Sequence, residues 1–317
     1  IAFPIVHGTN VEDGTLQGYL KIFNIPYVGS DVMASACGMD KYVCKCILKE
    51  NDIPVLDCKC FTLKDYNEDL EKVINTIEEN FSYPVIVKPV NLGSSVGIRK
   101  AKNENELIEA IDFAMEFSDR VIVENAVENL KEINCSVIGN IAESETSVCE
   151  EPFFSDEILS YADKYMGGSK IKGTNGIKGG AKVNIGTKTG GKGMAASDKK
   201  LPADISNEKR DEIQKLTKET FKVLGCSGVA RVDFLMDTKT DKVYVNEINT
   251  IPGALSYYLW EATGKSFEQE LDELVDIALK RYREREKLTF SYDQNILAMQ
   301  GSKTGTKGIK GLKMPKN

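Results

Sequence analysis

The sequence predicts an α/β protein built from more than one domain, and three observations carry that reading. At 317 residues, with 41% of them hydrophobic, the chain is long enough for two domains and part of a third, and apolar enough for real cores. Short apolar runs of strand length alternate with segments of helical periodicity along most of it. Residues 229–253, VARVDFLMDTKTDKVYVNEINTIPG, read as two strands joined by a polar link.

The elements follow in order. Residues 1–6 predict a buried strand, 8–14 a loop holding Glu12 and Asp13, and 15–23 a short helix. Helical spacing runs over 34–51, with Lys41 near its start, and a strand-like stretch ends at Phe61. Leu70, Val73, Ile74 and Ile77 mark an amphipathic helix over 70–80. PVIVKP at 84–89 predicts a buried strand carrying one charge, and a Gly/Ser loop follows at 91–96. A helix is expected over 105–117, then strands at 120–124 and 133–138. From Glu150 the chain enters a long connection. Residues 166–200 are dense in Gly, Lys, Ser and Thr and cannot bury enough apolar surface to offset ordering entropy, which predicts a mobile segment. Residues 301–317 share that composition, and helices at 206–224 and 267–287 complete the fold.

Composition narrows the function classes. A formal net charge of −7 argues against nucleic acid as a partner. No apolar run is long enough to span a bilayer, and no signal peptide is read, so a cytoplasmic protein is expected. The opening IAFPIVHG has no initiator Met and is read as lacking N-terminal sequence. Eight cysteines include Cys44-Lys-Cys46 and Cys58-Lys-Cys60, but one-residue gaps and a single histidine, His7, do not match zinc spacing. Reduced, mostly buried thiols are expected instead.

Two stretches carry chemistry. If the hairpin strands pair symmetrically about Thr240 across a five-residue link, Asp233 faces Glu247 and Arg231 faces Asn249. Opposed carboxylates repel, so this face is either solvated or holds a cation, and oxygen-only ligands suit Mg2+ or Mn2+. Lys88 ends the strand PVIVKP, and Asn91-Leu92-Gly93-Ser94-Ser95-Val96-Gly97 follows as a loop able to offer backbone N–H groups to a phosphate. It is either a simple turn or a phosphate cradle. It is not a Walker A loop, and neither a GxGxxG fingerprint nor a GxSxG elbow is present.

Taken together, these stretches resemble the D-alanine–D-alanine ligase family. His7-Gly8 with Glu12-Asp13-Gly14-Thr15-Leu16-Gln17-Gly18 resembles its N-terminal signature, and Tyr27-Val28-Gly29-Ser30 and Met39-Asp40-Lys41 the segments that follow. Val87-Lys88-Pro89 with Gly93-Ser94-Ser95-Val96-Gly97 is similar to its phosphate strand and loop. Gly228-Val229-Ala230-Arg231-Val232-Asp233 and Asn246-Glu247-Ile248-Asn249-Thr250-Ile251-Pro252-Gly253 are similar to its metal signature. The motifs occur in family order over about 3–283. Residues 249–253 with Tyr258-Leu259-Trp260-Glu261 look especially like the branch of D-alanine–D-serine ligases of the VanG type.

The resemblance implies an ATP-grasp fold. Residues 1–32 would be a remnant of an N-terminal Rossmann-like domain, 33–128 the N-terminal lobe, and 129–288 the C-terminal lobe with a lid insertion at 166–200. Residues 289–317 would be a low-complexity tail. It implies an ADP-forming ligase that joins D-alanine to D-alanine, or to D-serine, through an acyl phosphate, in the cytoplasm, for cell-wall peptidoglycan. By motif position, Asp233, Glu247 and Asn249 would hold two Mg2+ ions, with Mn2+ as the substitute. ATP would be bound by Lys41, Lys88, Lys164, Ser94, Ser95, Glu124, Val127 and Glu132. Catalysis would fall to Arg231, Gly253, Ser94, Tyr165 and His7, with Tyr258 meeting the second substrate. A homodimer is implied for the full-length protein.

Four departures from the family pattern stand out. The N-terminal strand and glycine loop are absent, so a catalytically impaired ATP-binding fragment is an alternative. Asn125 replaces the usual lysine, and the spacing from Glu124 to Glu132 is a residue longer. The Gly/Lys insertion falls in the lid, where added length raises the entropy of closure. Tyr258 stands where alanine-specific members carry a serine, which opens D-serine as the second substrate.

Overall fold

The computed structural model describes residues 1–93, 95–152 and 199–288. The expectations for Ser94, Lys164, Tyr165, residues 166–198 and the tail from 289 fall outside the described residues. Ile1–Lys280 forms one compact unit. Of the second, Arg281–Asn317, the described part is mainly the end of a helix.

Side-chain caps set most of the helix starts, α1 and α8 excepted. Helix α1 spans Thr15–Ile22. Residues 34–51, expected as one helix, form two, α2 (Val32–Met39) and α3 (Lys41–Glu50). The break is Asp40, an extended residue whose Oδ1 accepts the Val43 N–H at 2.9 Å and so starts a new helix. Thr62 and Asp65 form a capping box for α4 (Leu63–Glu68). Asp69 caps α5 (Leu70–Asn80), Asn103 caps α6 (Glu104–Met115) and Ser206 caps α7 (Asn207–Val223). Helices α8 (Tyr257–Thr263) and α9 (Phe267–Glu286) follow.

Two antiparallel sheets organise the chain. The first contains β1 (Cys58–Thr62), β2 (Val85–Pro89), β3 (Arg99–Ala101) and β4 (Arg120–Asn125), in the order β1-β4-β2-β3. Val85, Val87, Val121 and Val123 meet Ile77 of α5 and Ile111 of α6 in its core. The second contains β5 (Leu130–Gly139), β6 (Ser144–Pro152), β7 (Lys199–Lys200), β8 (Gly228–Asp237) and β9 (Lys242–Asn249), in the order β7-β6-β5-β8-β9. Ile133, Val232, Phe234 and Val245 pack there on Phe221 of α7 and on Leu48 of α3. Residues 34–53 thus share the core of the five-stranded sheet, although they precede β1 in the chain.

Two expectations change. Residues 1–6 are not a buried strand: Ala2 makes one parallel bridge to Tyr27, while Ile5 and Val6 are exposed. Apolar composition supplies a tendency to bury, and a single bridged partner gives those side chains no second layer. Strand β6 runs through Glu150, where a connection is expected: its polar residues fall on both faces, Ser144 and Thr146 beside Gly139 and Val137 and Glu150 beside Asn134, so no apolar alternation marks it.

One link joins the sheets directly and two tie them to the segments between. Val245 N–H donates to the Pro54 carbonyl at 2.8 Å. Arg120 of β4 bonds to Asp40 at the start of α3. Lys88 of β2 donates to Asn246 Oδ1 of β9 at 3.0 Å.

Candidate active site

The five-stranded sheet separates its faces by alternation. One face is the core just described. On the other, Glu150 stands opposite Asn134, Asn134 opposite Asp233, and Asp233 opposite Glu247. Directly opposed residues share a face, so these four side chains form a row across β6, β5, β8 and β9. Beside it runs a second row, Ser136, Arg231 and Asn249.

The expected oppositions of Asp233 with Glu247 and Arg231 with Asn249 are the observed ones, but the link is not symmetric about Thr240. Phe234 pairs with Val245 and Asp237 with Lys242, leaving a four-residue loop, and an irregularity between Asp233 and Phe234 makes up the offset. Asn246 is the extra residue of this bulge. It restores the register before Glu247 and is the residue that receives Lys88.

Arg231 grips Asp233 with two hydrogen bonds, Nε to Oδ1 at 2.6 Å and Nη2 to Oδ2 at 2.7 Å. Asn249 Nδ2 donates to the same Oδ2 at 3.0 Å. Burial pushes the Asp233 carboxyl upward, Arg231 opposes that, and Glu247 and Glu150 add to the rise. Lys41 Nζ lies 3.1 Å from Glu247 Oε2 and donates to the Leu92 carbonyl at 2.6 Å, tying α3 to the Gly/Ser loop. Glu12, Lys41, Gly93, Glu247 and Asn249 line one cavity of about 20 Å³. Gly97 has φ +76°, and a Cβ there would lie 2.5 Å from Pro89 Cγ, so that turn admits only glycine.

A buried ion triad stands on the first sheet. Glu124 is 1% exposed and lies between Lys88 and Lys45, the latter at 2.8 Å. Burial pushes Glu124 up, but the two lysines outweigh it and hold the carboxyl down at about 2. Lys45 was not anticipated. Its signal is the four-residue spacing from Lys41 on one helix, which puts both on one face, and it is masked by the Cys44-Lys-Cys46 pair in which it lies. Val127 follows β4 in the turn, and Glu132 on β5 stands opposite Leu235.

Asp233, Glu247 and Asn249 offer only oxygen donors suited to a hard divalent cation. The opposed carboxylates, and the upward push of Glu247 on Asp233, are what such a cation would relieve. Among the described residues no three acidic, cysteine or histidine groups make a metal site alone, so the set needs the Asn249 carboxamide.

Tyr258 is held at the β6 end of the row. Its hydroxyl donates to Glu150 Oε1 at 2.7 Å, and Asn134 Nδ2 donates to the same oxygen at 3.0 Å. Burial and Glu150 push the Tyr258 hydroxyl upward. His7 lies 3.7 Å from Glu12, which raises its pKa, and is bonded to the backbone of Ile251. Gly253 opens a turn in which Ala254, Leu255 and Ser256 all take positive φ, 49°, 55° and 59°.

A family model described as the D-ala D-ala ligase C-terminus matches residues 47–185 and 183–276, and one for the N-terminus matches 1–30. The D-alanine–D-alanine ligase of Acetivibrio thermocellus is 40% identical over 298 residues, covering 93% of this chain and 71% of its own length. That of Thermosipho africanus is 38% identical, covering 94% and 73%. Among solved structures, the ligase of Coxiella burnetii aligns with a TM-score of 0.69 at 31% identity, over 90% of this chain and 69% of its own. The VanG D-Ala:D-Ser ligase of Enterococcus faecalis aligns at 0.70 and 31%, over 87% and 72%. Equal identity to those two structures gives the VanG branch no preference. The fold is ATP-grasp, and the chain belongs to the D-alanine–D-alanine ligase family.

Proposed function

We propose that this chain joins D-alanine to D-alanine at the expense of ATP, as an ADP-forming ligase. A carboxylate oxygen of the first D-alanine attacks the γ-phosphorus and ADP leaves. The amine of the second attacks the resulting acyl carbon and phosphate leaves. The observation that carries the reading is the row Glu150, Asn134, Asp233, Glu247, met at its β9 end by the buried Lys41 and Lys88, in a chain of this family.

Phosphoryl transfer asks mainly for positioning and charge neutralisation. Lys45 and Lys88, already ordered against Glu124, are assigned to phosphate oxygens, as is Lys41, which pairs with Glu247. Asp233, Glu247 and Asn249 would hold two Mg2+ or Mn2+ ions, which when bound neutralise phosphate charge. Arg231 and the Gly253 N–H are assigned to the tetrahedral oxyanion, with Arg231 giving up part of its grip on Asp233. His7, through Ile251, braces the turn that presents Gly253. Glu124 is committed to two lysines, which leaves the end of β4 and Val127 for adenine and Glu132 for ribose. Ser94, Ser95, Lys164 and Tyr165 keep their roles by motif position. A cytoplasmic, wall-precursor role and a homodimer belong to the same reading. No described helix is long and apolar enough to cross a membrane.

D-Serine as second substrate is the competing reading, favoured by Tyr258. The test is phosphate release from ATP and Mg2+ with D-alanine, L-alanine, or D-alanine plus D-serine, with products identified by mass. D-Alanine-dependent release with dipeptide formation is expected. Equal release with L-alanine would sink the stereochemical assignment.

A further inference from the structure

Lys199 sits on the two-residue strand β7, opposite Pro152 of β6, on the face that also carries Glu150. Its ammonium lies 3.3 Å from the centroid of the Tyr258 ring, a cation–π contact. Glu150 Oε2 is 3.8 Å away, within ion-pair range but beyond a hydrogen bond. Among the described residues the buried Nζ has no hydrogen-bond partner. An ammonium with three donors held in this way is prepared for an anion that brings acceptors. Glu150 does not fill that need as the side chains stand: its Oε1 takes Tyr258 and Asn134, and its Oε2, at 3.8 Å, lies beyond hydrogen-bond reach of Lys199.

Position along the row tells which anion. Lys41 and Lys88 stand at the β9 end, against Glu247 and Asn246, and serve phosphate. Lys199 stands beyond Glu150 at the opposite end, and Glu150 is two strand spacings from Asp233, about 10 Å. That span fits an acyl centre beside Arg231, an attacking amino acid, and the carboxylate of that amino acid against Lys199. We propose that Lys199 binds the carboxylate of the attacking second amino acid, with Tyr258 as the wall of that subsite and Glu150 as the residue positioning both. The inference rests on the ligase reading above and names the group that selects an amino acid over its neutral derivative.

The test is acceptor competition in the 317-residue chain, at saturating ATP and fixed D-alanine, between D-serine and D-serinamide, which lacks the carboxylate. Products are quantified by mass. Wild type should favour the acid by about tenfold or more, the scale of a charged hydrogen bond. Lys199→Met should bring the ratio to within about twofold, while the KM for ATP stays near wild type and the melting temperature shows a folded protein. Lys199→Arg should keep most of the preference, and Glu150→Gln should weaken it in part. A wild-type enzyme indifferent to the amide, or a Lys199→Met enzyme that keeps the full preference, overturns the assignment while leaving ligase activity standing. Absence of any D-alanine-dependent product overturns the ligase reading and this assignment with it.

Discussion

Arg231 and Asp233 grip each other through two parallel hydrogen bonds, 2.6 and 2.7 Å, from neighbouring same-face positions on β8. Both side chains are nearly excluded from water, and Asp233 faces Glu247 on the next strand. The pair therefore does two things. It lets a carboxylate sit charged in a buried row, and it parks the guanidinium beside the reacting centre.

Breaking that pair from one side should be costly. Arg231→Met leaves Asp233 buried beside Glu247 and should cost about 3–5 kcal/mol, whereas the double variant Arg231→Met/Asp233→Leu should recover most of the loss. Urea unfolding of both variants checks this. Equal destabilisation of single and double variants would mean that the pair is not coupled.

Glu124 gives an acid limb to stability. Its carboxyl is held at about 2 by Lys45 and Lys88, below the ordinary value of 4.5. The stabilisation is present above pH 4.5 and is lost as pH falls toward 2, at up to about 1.4 kcal/mol per pH unit. Glu124→Gln should flatten that limb and should also raise the KM for ATP, since two lysines lose their common anchor. An unchanged acid limb in the variant would remove the triad from the account.

Glu270 on α9 works in the opposite direction. It is fully buried, and its carboxylate oxygens have no hydrogen-bond partner among the described residues. Burial pushes it up to about 8, against an opposing pull from Lys265. A raised carboxyl makes the folded state hold a proton that the unfolded chain releases above pH 4.5. Stability should therefore fall as pH rises from 4.5 to 8, again by at most about 1.4 kcal/mol per unit. Glu270→Leu should remove that slope and unfold at higher temperature at pH 9, as thermal melts across pH would show.

Asn246 should matter through Lys88. Asn246→Ala removes the acceptor that aims the lysine and should raise the KM for ATP by about tenfold or more, the scale of one hydrogen bond to a charged group. The KM for D-alanine should be left near its wild-type value.

Much of this was legible in the sequence, for reasons particular residues show. Arg231, Asp233, Glu247 and Asn249 interrupt apolar strands at positions that share a face, so their meeting follows from strand geometry. Leu70, Val73, Ile74 and Ile77 define α5 by spacing alone. The bulge was not legible, because nothing in VYVNEIN says which residue goes unpaired. Lys45 looked like part of a cysteine motif, and its partner Glu124 comes from another sheet. Glu150 reads as the start of a connection because β6 has polar residues on both faces and shows no apolar alternation. Ile5 and Val6 failed the other way: apolar side chains predict burial only where the fold supplies a second layer.

The central claim is that the charged face of the five-stranded sheet is where ATP is used. The most direct measurement is D-alanine-dependent phosphate release by Glu247→Gln, which keeps the size of the side chain and removes its charge. A loss of about a hundredfold or more in kcat is expected, as for other groups that stabilise transition-state charge, with the melting temperature close to wild type. Turnover at the wild-type rate in a folded Glu247→Gln protein would contradict it.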